Sequence, residues 1–158
     1  RTAEEQAPIY CWRYLAAAAV DAEDKLVWGP GGTDDQFYIM EWPYTPLGGG
    51  LEATNAIVSH ANWDNNNYAP TYCANLAHAG HDDWYLPNVA ELKLIYAVLH
   101  VRGFGDFGQD SSLYWSSLGG KLGTDYRGDS MYVRITDGQS FSPTTQLDAL
   151  MVRPIRRY

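Results

Sequence analysis

The sequence predicts an α+β fold in which two or three helices pack on a small twisted antiparallel sheet. Three observations predict it. Helical periodicity is confined to the middle of the chain, roughly residues 51–99; short strand-like runs lie on either side; and Asp137-Gly138 sits between two such runs as a hairpin signal.

Near the start, "IYCWRYLAAAAV" reads as a strand over Ile9 to Leu15 followed by a bend, with a short Ala-rich helix as the alternative that periodicity cannot separate. "KLVWGPGG" reads as a strand entering a Pro/Gly turn, "QFYIMEWPY" as a strand ended by Pro43, and "TPLGGG" as a loop. A first helix is predicted over "EATNAIVSHA", then a polar loop, "NWDNNN". "YAPTYCANLAHAG" predicts a second helix over 68–79, with Pro70 in its first turn and Gly80 just past its end. The third spans 88–100. There Asn88 is the N-cap, Glu91 completes a capping box, and Pro87 keeps the entering chain extended. Leu92, Ile95, Tyr96 and Leu99 recur at helical spacing, leaving Lys93 toward water. After the Gly/Asp-rich "GFGDFGQD" come the strand-like "LYWSSL", "MYVRITDG", "QSFSP" and "ALMVRPIRRY". One sheet is expected to contain 113–118, 131–136 and 149–156.

At 158 residues the chain is the size of one domain, and residues 1–158 are read as such. It opens at Arg1 with neither an initiator Met nor a signal-peptide pattern, as expected of a fragment of a longer protein. No run approaches the roughly 20 apolar residues of a membrane-spanning helix, so membrane insertion is not expected. A net charge of -8 suits neither a phosphate backbone nor an anionic membrane, and nucleic acid is not an expected partner. The 6 Trp and 12 Tyr against 4 Phe favour side chains that pair an apolar face with a polar tip, useful in recognition surfaces and in cores alike. Cys11 and Cys73 allow one disulfide or two buried thiols and fit no zinc framework.

"GHDDWYLPNVAEL", then "YWSS" at Tyr114 to Ser117 and "VRPIRRY" at Val152 to Tyr158, resembles the DUF1566 family of bacterial and phage proteins. That family includes the C-terminal domain of the Legionella collagen-like adhesin. "TNAIV" and "YAPTYCANL" also resemble its upstream segments, so the likeness covers roughly residues 50–158, leaving 1–50 as a strand-rich N-terminal part. The chain departs from the family at Tyr85, where many members have Arg. The resemblance implies a C-type-lectin-like fold and a binding module in place of an enzyme, with ligand contacts on the late strands. Some relatives of this fold are variable proteins of diversity-generating retroelements, whose binding residues lie between a "YWSS"-like segment and a "VRxVR"-like end. Here that interval is Leu118 to Met151, compatible with a diversified copy and equally with none.

Trp84, Leu86 and Trp115 are read as core, since burying a Trp removes a large apolar area from water at about 25 cal/mol per Å². Asp82 and Asp83 are expected to bond backbone N–H groups or an arginine, and Arg153 and Arg156 to clamp the last strand to the helix-start loop. Asp64, Asn65 and Asn67 offer oxygens without EF-hand spacing, and are read as an Asx-rich turn and not a calcium site. His78 and His81 lack a third ligand for zinc. Arg127-Gly128-Asp129 is the integrin-type tripeptide, weak as a lone motif. Formylglycine-generating enzymes share the broader fold, but no Cys follows Cys73, and no His follows His100 to serve Ser116 or Ser117. No catalytic residue, metal or cofactor is therefore assigned.

If Val133 and Ile135 face inward, Tyr132, Arg134 and Thr136 share the outer face. With Tyr126, Arg127, Asp129, Ser140 and Ser142 they form the expected ligand surface. The expected role is a ligand- or receptor-binding domain of a phage or bacterial surface protein, extracellular, on the cell surface or on a virion, contacting a protein or glycan receptor. The alternatives are an adhesin for carbohydrate or matrix with a fixed ligand, and a structural fibre cap. A homotrimer is one assembly compatible with a fibre end.

Overall fold

Three short helices and two antiparallel sheets make up the computed structural model, which describes residues 14–29, 38–39, 41, 43–61, 68–108, 112–120, 129–145 and 148–158. The order is β1 (Leu15–Ala17), β2 (Tyr38–Ile39), α1 (Gly49–Ala61), α2 (Ala69–Asn75), α3 (Val89–Val98), a 3-10 turn (His100–Arg102), β3 (Leu113–Gly120), β4 (Asp129–Arg134), β5 (Gln139–Thr145) and β6 (Ile155–Arg157). One sheet runs β2-β3-β4-β5 and the other is the ribbon β1-β6. The α+β class predicted from sequence is the class observed.

The start of α3 follows from its side chains. Asn88 Oδ1 accepts from Glu91 N at 2.9 Å, while Glu91 Oε2 accepts from Asn88 N at 2.7 Å, closing the predicted capping box. Glu91 is 1% exposed, and its Oε1 also accepts from Gly48 N at 2.9 Å and from the Tyr85 hydroxyl at 3.0 Å. Asn88 Nδ2 donates to the Tyr44 and Pro46 carbonyls at 2.8 and 2.7 Å. This crowding corrects one expectation: Gly49 and Gly50 are not loop but the first turn of α1. A Cβ on Gly50 would collide with Glu91 Oε2 and the Asn88 amide, so only glycine lets the two helix starts meet. Thr54 completes the joint, accepting from Leu86 N at 3.1 Å while its hydroxyl lies 2.8 Å from Gly50 O.

Burial raises the Glu91 carboxyl to about 7, against its ordinary 4.5, despite the donors around it. The folded protein therefore holds a proton on Glu91 that the unfolded chain releases above about pH 4.5. Stability from this group is greatest below that value and falls as pH rises to about 7, by on the order of 2–3 kcal/mol. Asp83, lowered mainly by its hydrogen bond to Arg156, acts with the opposite sign, but below 3.8 and outside this window. Urea unfolding at pH 4.5 and 7.5 should show the loss in the native protein and not in Glu91→Gln. An equal pH slope in both would refute the assignment.

The second helix is shorter than predicted, ending at Asn75 with Leu76 extended (φ -70, ψ 125). Its predicted tail forms a tight hairpin in which His78 and His81 exchange backbone bonds at 2.9 and 3.0 Å. Ala79 and Gly80 take φ of 52° and 79°, closing the two-residue turn. Gly80 thus makes a turn instead of ending a helix. Trp84 Nε1 donates to the His78 and His81 carbonyls at 3.3 and 3.1 Å, fastening the hairpin to the α3 approach.

Of the early strands, the predicted 9–15 run appears as Leu15–Ala17, starting at its last residue, with 9–13 outside the described residues, and the predicted "QFYIMEWPY" strand appears as Tyr38–Ile39. "KLVWGPGG" contributes isolated bridges at Leu26 and Val27, not a strand. Pro154 lacks the N–H a ladder needs and splits the terminal strand. Met151 bridges Tyr114, whereas Ile155–Arg157 pairs with β1, so the chain end leaves the main sheet instead of joining it throughout as expected.

β3 is buried on both faces. Trp115 joins Trp28, Leu26, Ile57, Leu86 and Val152 on one side, and Tyr114 joins Tyr85, Leu92, Phe107, Val133 and Ile155 on the other. Three arginines lock the C-terminal chain. Arg156 binds Asp83 through both carboxylate oxygens at 2.7 and 2.9 Å, as predicted, and Arg157 binds Glu52 at 2.7 Å. Arg153 departs from expectation: its partner is Asp21, at 2.5 Å, and not a helix-loop acid.

Candidate functional site

The site expected from sequence falls on the β4-β5 hairpin. Tyr126 and Arg127 lie outside the described residues, as do Asp64, Asn65 and Asn67; Asp129 and Ser142 are placed by backbone in β4 and β5. Val133 and Ile135 are fully buried, as the alternation required. Tyr132 and Arg134 take the other face.

Two members of the expected patch move. Ser140 stands directly opposite Val133, so it shares the inward face instead of the outer one. Thr136 is exposed but belongs to the turn 135–138, because Ile135 leaves the β4-β5 ladder to bond Ser112 O at 2.9 Å. Tyr132 is half-buried and packs on the Trp115 cluster, so its removal is expected to cost stability as well as surface.

The remaining residues form a ladder running from core to rim. Trp115, 0% exposed, meets Tyr132 edge-on at 6.3 Å between ring centres. Tyr132 stacks on Phe141 at 5.4 Å, with planes 19° apart. Phe141 lies on β5, the outer strand of the sheet, and carries the Arg134 guanidinium 4.9 Å above its ring. Arg134 is held in turn by Asp137, through Nε at 2.9 Å and a second contact from Nη2 to the same oxygen. Their hydrogen bond lowers the Asp137 carboxyl and raises the Arg134 guanidinium, so both remain charged. Asp137 Oδ1 also accepts from Gln139 N at 3.1 Å, closing the turn.

Sequence reasoning missed Phe141, and saw Asp137 only as a turn residue. The available signal was register. A four-residue turn over 135–138 pairs Arg134 with Gln139, and two steps back sets Tyr132 opposite Phe141. The arrangement sets a part-buried aromatic ring beside a fixed guanidinium and carboxylate, groups whose chemistry suits apolar or ring-shaped partners with directed hydrogen bonds.

Concavities among the described residues lie elsewhere. An apolar groove of about 310 Å³ lies between α3 and the β1-β6 ribbon, lined by Tyr14, Leu15, Leu94, Val98 and Ile155 with Glu91 at its margin. A shallow polar cleft of about 390 Å³ follows the hairpin from Ala77 to Asp82 and includes His78 and His81. Among the described residues no group of three or more His, Cys, Asp or Glu could hold a metal ion. Cys73 is a buried free thiol raised well above its ordinary range by desolvation. Ser116 and Ser117 are fully buried, Ser116 Oγ accepting from Leu118 N at 3.1 Å. No described helix is long and apolar enough to cross a membrane. Compared with known proteins, the chain matches no family model and no curated protein.

Proposed function

We propose that the chain is a non-enzymatic ligand- or receptor-binding domain of C-type-lectin-like fold, acting outside the cell or on a virion. The reading rests first on the sequence motifs and their likeness to DUF1566 proteins. The observation that carries it is the Trp115-Tyr132-Phe141-Arg134 ladder, whose Tyr132, Arg134 and Phe141 lie in the Leu118 to Met151 interval where the resemblance expects recognition. A buried Trp at one end and an Asp-locked Arg at the other hold the rim in one geometry. Contact groups fixed before binding lose little entropy when a partner arrives.

The partner in this reading is a protein or glycan receptor approached by the outer strand of the sheet. The test is binding of the purified domain to a printed glycan array and an array of extracellular protein domains. It is repeated with Phe141→Ala and Arg134→Ala. Both variants should melt close to the native temperature, since Phe141 is only part-buried and the Arg134-Asp137 pair is exposed, where ion pairs add little. Both should bind at least tenfold more weakly. Unchanged binding by the two variants would place the site elsewhere, and silence on both arrays would favour a structural cap.

A further inference from the structure

The Arg134-Asp137 end of the ladder sits on a turn that its own bonds hold only weakly. Asp137 reaches Arg134 through an exposed ion pair, and such pairs add little by themselves because water and salt screen them. The backbone closes through one acceptor: Arg134 O takes Gly138 N at 2.9 Å and Asp137 N at 3.4 Å. Gly138 stands in the left-handed region (φ 71°), which glycine enters without cost and leaves as readily. Keeping Asp137 beside Arg134 therefore calls for support from outside the hairpin.

That support comes at both ends of the turn. At its start Ile135 N donates to Ser112 O at 2.9 Å. At its end Gly138 lies against one side of the Tyr96 ring, where a Cβ would stand 2.5 Å from Cδ1 and 2.9 Å from Cε1. Tyr96 belongs to α3 and is half-buried against the core that holds Val133 and Ile135. Its ring is braced in turn. It stacks on His100, one helical turn further on, at 6.0 Å between ring centres with planes 27° apart, and His100 meets the buried Phe107 edge-on at 6.2 Å.

We propose that Tyr96 is a positioning residue for the recognition rim: through Gly138 it keeps Asp137 where its carboxylate fixes the Arg134 guanidinium over Phe141. This rests on the reading of the rim as the recognition surface, and adds that α3, which lies outside the Leu118 to Met151 interval, takes part in it. The contact is steric. The Tyr96 atoms that meet Gly138 are ring carbons, so phenylalanine serves as well and a side chain without a ring does not. Without the ring Gly138 regains its conformational freedom, Asp137 moves with it, and Arg134 becomes an ordinary mobile surface arginine. A partner would then have to order that arginine on arrival, which weakens binding.

Arg134 reports its own state. Its Nε–H donates to Asp137 Oδ2 at 2.9 Å and its guanidinium lies 4.9 Å from the Phe141 ring centre, so its NMR signals should combine slowed Nε–H exchange with a ring-current shift. In the 158-residue chain without any partner, well below the melting temperature, Tyr96→Phe should keep both signals. Tyr96→Ala and Tyr96→Leu should lose the ring-current shift and exchange the Nε–H about tenfold faster, while circular dichroism shows a folded domain. Gly138→Ala should lose them too, and adding Tyr96→Ala to it should make matters no worse, because two changes at one contact do not add. Native Arg134 signals in Tyr96→Ala and Tyr96→Leu would overturn the proposal, as would additive effects in the double variant. If Tyr96→Ala fails to fold, Tyr96→Leu decides. On partners found by array, Tyr96→Leu should bind about tenfold more weakly and Tyr96→Phe as the native protein does. The two failures are distinct: normal binding by Arg134→Ala removes the rim as recognition surface, whereas the partner-free Arg134 signals alone decide whether Tyr96 positions it.

Discussion

Trp115→Ala will lower the unfolding free energy by about 3–5 kcal/mol, a large share of a domain's usual 5–15 kcal/mol. The indole is fully buried among Trp28, Leu26, Leu86 and Val152, and its Nε1 donates to Leu26 O at 2.8 Å. Alanine leaves a cavity and removes one of two donors to the Leu26 carbonyl, which keeps Leu150 N at 3.0 Å. Trp115→Phe should recover most of the packing and none of the hydrogen bond, and so fall between. Because Tyr132 leans on this ring, both variants should also loosen the hairpin, seen as faster amide exchange at Tyr132 and Val133. A melting temperature within a few degrees of native for Trp115→Ala would mean that the indole is not the centre of this core.

Arg153→Met should cost a similar amount, about 3–5 kcal/mol, by a different route. Arg153 is 1% exposed and lies with its guanidinium 4.1 Å from the Phe107 ring centre. It donates to Asp21 at 2.5 Å and to the carbonyls of Ala18, Gly105 and Asp106 at 3.0, 2.7 and 3.3 Å. Asp21 Oδ2 also accepts from the Tyr114 hydroxyl at 2.7 Å, which itself accepts from Gly108 N at 3.1 Å. One cation thus ties both ends of the chain to the loop 103–108, where Asp106 is held at φ 44°. Methionine fills the volume but strands a carboxylate and three carbonyls. Lysine keeps the charge without the planar fork, so Arg153→Lys should recover only part of the loss. The deficit should persist in high salt, because a buried pair is poorly screened. Denaturant titrations at low and high ionic strength measure both points.

Local features were legible because their causes lie within a few residues. The Asn88-Glu91 capping box needs only spacing and was predicted residue by residue, and so were the buried row Leu92 and Ile95 and the exposed Lys93. β3 was read from the strand-like run "LYWSSL", and the Asp83-Arg156 clamp from charge and position. Errors came where a distant contact outweighed local preference. Gly49 and Gly50 look like loop residues until the Glu91 carboxylate and the Asn88 amide arrive from the α3 start and leave room for nothing larger. The 68–79 segment has the composition of a helix, but Trp84 captures the His78 and His81 carbonyls and the chain turns there.

The candidate site divides along the same line. Sequence alone determined that a hairpin would turn at Asp137-Gly138 and that Val133 and Ile135 would share one face with Tyr132 and Arg134 on the other, since period-two alternation is a property of the strand itself. Only the tertiary structure decided which side chains meet across the hairpin. Ile135 is drawn out of the ladder toward Ser112 and the core, and the Gly138 turn lies so close to the Tyr96 ring that a Cβ there would stand 2.5 Å from it. Those contacts lengthen the turn to four residues, bringing Tyr132 opposite Phe141 and Ser140 opposite Val133. Strand pairing has a period of two residues, so a turn set by contacts with Ser112 and α3 chooses the partners on each face.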